Sequence, residues 1–415
     1  MKLTIDNIGK IHHADIEIKG ISIITGENNT GKSTVGRTLF SIFDSLHDIE
    51  HKIRIERIES IVKSLIINLS YSLISSSRGL INNFAEQIVS NKDIYIKDYN
   101  ALFEEIKNFA CSIPNQKESI LIDNINNTTL KIQEIIKLSD KEILESYTYR
   151  CLNMEFSNQI RNIYSNEQAK IKLTIKDDDI KITLNDDKFN IENPISLLKD
   201  AIYIDDPSIL DDTTNDYFHL ASFHREHLRK ILLSNNKNNI VDELLINKKF
   251  DEIYNILDTV CDGNIEKNKN GLVTYKKKGS SKALNFTVLS TGLKSFIILK
   301  TLIQKGAIEN NGTVILDEPE VHLHPKWQLL FAKLIVLLHK EFNLHVLLNT
   351  HSPYFLRAIE VYSAKYKVAD KCKYYLSDFD GEFSVINDVT DKLDKIYEKL
   401  YLPLETLDDE ESYDF

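Results

Sequence analysis

The apolar stretch Ile21 to Thr25 runs into Gly26-Glu27-Asn28-Asn29-Thr30-Gly31-Lys32-Ser33. Thr34 to Leu46 then carries Val35, Leu39, Ile42, Phe43 and Leu46 at helical spacing. The eight residues fit G-x-x-x-x-G-K-[ST] at every position, and a strand before and a helix after are the context that gives this pattern meaning. Small residues let successive backbone N–H groups curl round an anion, while the next helix points the positive end of its dipole at the same place. The expected phosphate-binding residues are Gly26, Asn28, Asn29, Thr30, Gly31, Lys32, Ser33 and Thr34. In such a loop Lys32 bridges the outer phosphates of ATP and Ser33 offers its hydroxyl to Mg2+.

A second candidate site lies late in the chain. Val314-Ile315-Leu316 reads as a buried strand ending in Asp317-Glu318-Pro319. Carboxylates at the end of a core strand are costly unless they meet a cation or hydrogen bonds. Asp317 is the expected metal ligand, and Glu318 the base or water-positioning group.

Composition narrows the class. The 415 residues carry 51 basic and 62 acidic side chains, a net charge of −11, which disfavours a protein that coats nucleic acid with its whole surface. Cys111, Cys151, Cys261 and Cys372 are scattered without a CxxC, so neither a disulfide scaffold nor a cysteine zinc site is expected. There is no apolar run of membrane-spanning length and no signal-peptide core near Met1, so a complete cytoplasmic protein is expected.

Three stretches are expected. Residues 1–47 form the first part of an α/β unit and residues 201–415 its second part. Between them, 48–200 reads as a mainly helical insertion that includes a β-hairpin at 170–190. Helices are expected from Phe218 to Leu233 and from Val241 to Val260. Residues 271–288 alternate around a Lys-rich turn, Lys276 to Lys282. A hairpin brackets Asp380-Gly381, and the acidic tail from Glu405 is expected to fray.

Three further segments carry a family resemblance. Leu289 to Ser295, LSTGLKS, resembles the signature segment of ABC-type ATPases. Leu347 to Leu356, LLNTHSPYFL, resembles their switch-histidine strand and loop. Asp317 to Pro325, DEPEVHLHP, resembles the acidic motif and D-loop of the SMC/RecF/OLD-like branch. The resemblance implies an α/β ABC-type P-loop ATPase head working as a homodimer. Ser290 and Gly292 of one copy would contact the nucleotide held by Lys32 of the other, and His351 would act as the switch residue. Lys294 replaces the usual glutamine; it is read either as added charge near the nucleotide or as a solvent-facing side chain.

The pattern has departures. No Q-loop glutamine is evident; the segment Tyr203-Ile204-Asp205-Asp206-Pro207 can occupy its place, with Asp205 or Asp206 as a metal-shell candidate, although a solvated acidic turn is the favoured reading. Lys10, His12 and His13 are nucleotide-contact candidates better read as surface residues. His322 and His324 fit the D-loop better than a zinc site, and Lys276 to Lys282 fits a solvated turn better than a nucleic-acid contact.

The stretch from Lys32 to Ser290 is longer and more helical than a transporter ATPase carries, and no fused Toprim nuclease is expected after His351. Two functions remain. The favoured one resembles the standalone PtuA-like and AriA-like ATPases of anti-phage defence modules, which control a separate effector, a nuclease or toxin. The alternative is a RecF/SMC-like DNA repair or recombination ATPase.

Overall fold

The computed structural model describes residues 1–69, 78–112, 118–185, 188–211, 222–234, 250–267 and 273–412. The beginnings of the two helices expected from Phe218 and Val241 lie outside these residues. Their later parts are helical at Phe223–Leu233 and Asp251–Val260.

The chain divides into two units. One comprises Met1–Ser45, Thr148–Ile195 and Lys199–Phe415; the other comprises Leu46–Tyr147 and Ser196–Leu198. In the first unit, eleven of the described strands form one sheet. In chain order they are β1 (Lys2–Ile8), β2 (Ile11–Glu17), β3 (Ile21–Gly26), β4 (Ala169–Ile175), β5 (Asp178–Leu184), β6 (Phe189–Glu192) and β7 (Ala201–Ile204). After β8 (Gly263–Lys267), β9 (Val273–Lys277) and β10 (Leu284–Asn285) come β11 (Thr313–Asp317), β12 (His345–Asn349), β13 (Cys372–Asp380) and β14 (Phe383–Asp388). The sheet order is β6-β5-β4-β1-β2-β14-β13-β3-β12-β11-β7, and β8 to β10 form a separate three-stranded sheet.

The two halves of the large sheet differ for a physical reason. β13, β3, β12, β11 and β7 run parallel to one another. Strands covered on both faces read as unbroken apolar runs, and Ile21, Ile23, Val314, Leu316, Val346 and Leu348 are all buried in one core with Phe296 and Phe331. The other half, β6-β5-β4-β1-β2, is antiparallel.

The hairpin at 170–190 forms, but it belongs to this sheet and not to the helical insertion. Leu3 pairs with Leu173 and Ile5 with Ile171. The alternating residues Ile171, Leu173, Ile180 and Ile182 are all buried, so pairing with the open edge of β1 continues the core face. The insertion expected over 48–200 is therefore shorter.

The second unit is helical: Ile49–Leu69, Arg78–Ser90, Lys92–Lys97, Tyr99–Cys111, Glu118–Lys137 and the start of Asp140–Glu155. It has a core of its own around Ile61, Leu65, Ile81, Ile106 and Ile132. Buried Arg57 donates to Asp140 Oδ1 at 2.7 Å and to the Leu138 carbonyl, closing the turn between its last two helices. The C-terminal segment also departs from expectation, because a helix spans Asp394–Ser412 where the acidic tail was expected to fray. No helix among the described residues is long and apolar enough to cross a membrane.

Candidate active site

In parallel α/β sheets, ligands are held beyond the carboxyl ends of the strands. Here those ends carry Gly26 (β3), Asn349 (β12), Asp317 (β11) and the Asp205 that follows β7.

The loop after β3 is shaped by its glycines. Gly26 has φ 147°, and a Cβ on it would lie 2.3 Å from the Ser377 carbonyl of β13. Gly31 has φ 85°, and its Cβ would fall 2.8 Å from Ile11 Cγ1. Asn29 also takes a left-handed conformation, at φ 67°. The Thr30 hydroxyl donates to the Glu27 carbonyl at 2.8 Å, and the Ser377 hydroxyl donates to the Thr30 carbonyl at 2.6 Å. Lys32 opens the helix Lys32–Leu46, and its buried ammonium donates to the carbonyls of Gly26 (2.9 Å) and Glu27 (2.6 Å). Burial pulls its pKa down against the opposing pull of Glu318, Asp317, Glu320 and Glu27.

Asp317 is held from both neighbouring strands. The Tyr203 hydroxyl donates to Oδ2 at 3.0 Å from β7, and Asn349 Nδ2 donates to Oδ1 at 2.8 Å from β12. Glu318 leaves the strand in a left-handed conformation, φ 50°, its N–H bonded to the Asn349 carbonyl at 3.0 Å. That conformation costs a non-glycine residue about 1 kcal/mol or more. It accompanies a contact in which Glu318 Oε1 lies 2.9 Å from His351 Nε2. The bond to His351 takes the Glu318 pKa below the usual carboxylate value, and the same bond raises that of His351.

The His351 loop is set by a residue the sequence reading passed over. Glu320 is buried, and its Oε1 accepts from the Thr350 hydroxyl, the His351 N–H (3.0 Å) and the Ser352 N–H (3.3 Å). Burial pushes its carboxyl pKa up. Its signal was available in the run Asp317-Glu318-Pro319-Glu320, whose last acid is a third carboxylate beside the strand end.

A cavity of about 310 Å³ is lined by Ser33, Asp205, Asp317, Glu318, His322 and others. The Ser33 hydroxyl and the Asp317 carboxylate in this lining are the hard oxygen donors that Mg2+ takes together with phosphate oxygens, and the turn leaves no space for a Cβ at Gly26 or Gly31. These residues fit a magnesium nucleotide.

The AAA ATPase domain family matches residues 1–356 of the sequence. The chain belongs to this family. A curated relative, the Retron Vc95 probable ATPase of Vibrio cholerae serotype O1 biovar El Tor, is 24% identical over 395 residues, covering 86% of this chain and 70% of that protein. Among solved structures, the SMC head domain from Thermotoga maritima is 12% identical at a TM-score of 0.39, with 94% of this chain and 98% of that chain covered. The Smc head domain with an extended coiled coil, bound to the C-terminal domain of ScpA derived from Pyrococcus furiosus, is 12% identical at a TM-score of 0.44, with 96% and 98% covered.

In this AAA ATPase domain Ser290 caps the helix Thr291–Gln304, its hydroxyl accepting from the Leu293 N–H at 3.4 Å. A Cβ on Gly292 would lie 2.9 Å from the His322 carbonyl, so glycine lets the helix start pack against the loop that follows the acidic pair. Lys294 is placed otherwise than expected. It is buried, and its ammonium is committed to Asp211 at 2.7 Å, neither facing solvent nor free for a phosphate.

Asp205 lines the cavity, but its Oδ2 already accepts from Arg225 Nε (2.8 Å) and Nη2 (2.6 Å) and lies 3.0 Å from His224 Nε2. Asp206 caps the turn Pro207–Leu210. His224 is clamped on its other side by Glu155, with Nδ1 to Oε2 at 2.7 Å. Burial opposes the charge on this imidazole, but its bonds to Asp205 and Glu155 prevail and raise its pKa. The sequence singled out Asp205 but nothing in it pointed to His224 or Glu155.

Several of the remaining candidates have local partners. His12 sits 3.1 Å from Asn7 Oδ1 and His13 2.7 Å from Asp6 Oδ1. His324 caps the helix Pro325–Phe342. Lys276 and Lys277 belong to strand β9 and not to a turn, and pair with Glu266 and Asp262.

Proposed function

We propose that this chain binds and hydrolyses ATP as a nucleotide-sandwiched homodimer, and that the closed and open forms of the dimer control a separate effector in an anti-phage defence module. The observation that carries the hydrolytic part is the Glu318–His351 contact of 2.9 Å beside Asp317 and the phosphate loop. A carboxylate held ionised at that point is a competent base or water-orienting group.

In this reading the Lys32 ammonium exchanges the carbonyls of Gly26 and Glu27 for the outer phosphate oxygens. The exchange is favourable because it replaces neutral acceptors with charged ones. Ser33 and Asp317 would hold Mg2+, which supplies charge neutralisation at the transferring phosphoryl group. Glu318 orients the attacking water and draws its proton, and His351 keeps Glu318 ionised and aimed. Ser290 and Gly292 of the second copy, at the start of a helix of 14 residues, present backbone N–H groups to the same anion.

The defence assignment is supported by the curated relative named as a retron ATPase, and by the helical unit 46–147, which gives nucleotide state a structure to act upon. The test is purification of Glu318→Gln with ATP from cells carrying the neighbouring reading frames. A stoichiometric nuclease or toxin in the ATP-bound sample supports the reading. ATP-dependent DNA binding without any protein partner would favour the repair or recombination ATPase instead.

A further inference from the structure

Gly36 lies inside the helix Lys32–Leu46, where glycine is about 1 kcal/mol less favourable than alanine. Its backbone is not left-handed, so conformational freedom does not explain it. Space does. A Cβ on Gly36 would lie 3.1 Å from the Tyr203 hydroxyl and 3.0 Å from Ile315 Cγ2. The missing methyl group makes room for the tyrosine between the phosphate-loop helix and β11.

The hydroxyl seated there donates to Asp317 Oδ2 at 3.0 Å. Tyr203 is almost wholly buried, and its ring is fixed from behind by the His224 imidazole, stacked at 4.3 Å and 25°. His224 in turn is gripped by Glu155 and Asp205. The register completes the picture: Tyr203 stands opposite Ile315 in β7–β11, and Asn349 stands opposite Asp317 in β11–β12. One donor therefore reaches each oxygen of the Asp317 carboxylate, from opposite sides, and its plane has little freedom to rotate.

We infer that the Tyr203 hydroxyl is a positioning group that aims the Asp317 carboxylate at the metal of the bound nucleotide, and that Gly36 is glycine in order to seat it. This rests on the reading of Asp317 as a metal ligand. Hydrogen-bond partners of ligating carboxylates typically control metal affinity by about 10- to 100-fold.

The experiment titrates Mn2+ into the full chain saturated with a non-hydrolysable ATP analogue, following free Mn2+ by electron paramagnetic resonance. Affinity for the analogue in EDTA reports the integrity of the phosphate loop. Tyr203→Phe should weaken Mn2+ binding about 10-fold or more while leaving the EDTA affinity within about two-fold. Gly36→Ala should weaken it in the same direction, and adding Tyr203→Phe to Gly36→Ala should cost little more, because both remove one interaction.

Asp317→Asn separates the two layers of the argument. If it leaves Mn2+ affinity unchanged, Asp317 is not the ligand and the inference falls with that reading. If it weakens Mn2+ binding while Tyr203→Phe, intact in EDTA, binds Mn2+ like the wild type, the inference alone is overturned. Should Tyr203→Phe lose nucleotide binding in EDTA, Gly36→Ala decides, and wild-type Mn2+ affinity in that variant overturns the inference.

Discussion

His351 Nε2 lies 2.9 Å from Glu318 Oε1, and each group shifts the other toward its charged form. The pair joins the end of β11 to the loop after β12. Glu318 reaches it through a left-handed backbone, and His351 is held by the buried Glu320 beneath it. The residue read as the base and the residue read as the switch are thus one electrostatic unit.

Glu318→Gln keeps the shape of this unit and removes its basicity. ATP turnover should fall by about 10²- to 10⁴-fold, with ATP affinity nearly unchanged. Phosphate release and equilibrium nucleotide binding measured on the same preparation check this. Normal turnover would mean that Glu318 is not the group that handles the attacking water.

His351 sets the pH at which Glu318 loses its charge. The folded Glu318 pKa is lowered, chiefly by the bond to His351, so the base stays ionised to a lower pH than an ordinary glutamate. In His351→Gln that pull weakens and the Glu318 pKa returns upward. The acid limb of the kcat/KM profile should therefore move to higher pH. A profile whose acid limb does not move would uncouple the two residues.

The buried His224 carries a stability signature of the opposite kind. Its folded pKa is raised above 6.5, so its contribution is full below that value and is lost as the pH rises through the folded pKa. Removing one member of a buried charged cluster costs about 3 kcal/mol. The drop in Tm caused by His224→Gln should be greatest near about pH 6 and shrink toward alkaline pH. A constant difference across that range would show that the imidazole is neutral in the folded protein.

Gly26→Ala tests the loop without removing any polar side chain. A Cβ there meets backbone, the Ser377 carbonyl at 2.3 Å, and the φ of 147° is itself unfavourable for alanine. A cost of about 3 kcal/mol is expected, together with loss of ATP binding. Denaturation midpoint and nucleotide affinity measure both. A variant of wild-type stability would contradict the close approach of β3 and β13.

What the sequence revealed was local. The turn from Gly26 to Ser33 and the pair Asp317-Glu318 are legible because each is a short run whose strand context is written beside it. Tyr203 and Asp317 are 114 positions apart, and Glu155 and His224 are 69 apart. Only the parallel pairing of β7 with β11, and the packing of a helix on top of it, brings such residues together. The hairpin of β4 and β5 was legible as a hairpin, but its partner β1 is remote in sequence, with Leu3 pairing with Leu173. Lys294 shows a different limit. The signature pattern gives its position along a helix, not the direction of its side chain, and Asp211 captured it.

The central claim is that one ATP is held between the phosphate loop of one copy and the signature serine of another. Lys32→Ala and Ser290→Arg chains should each be inactive alone. When they are mixed, every hybrid dimer regains one complete site out of two, so turnover should recover to roughly a quarter of the wild-type rate under random pairing. Recovery to that level is the predicted result in a phosphate-release assay. No recovery on mixing, with hybrid dimers demonstrably formed, would contradict the account.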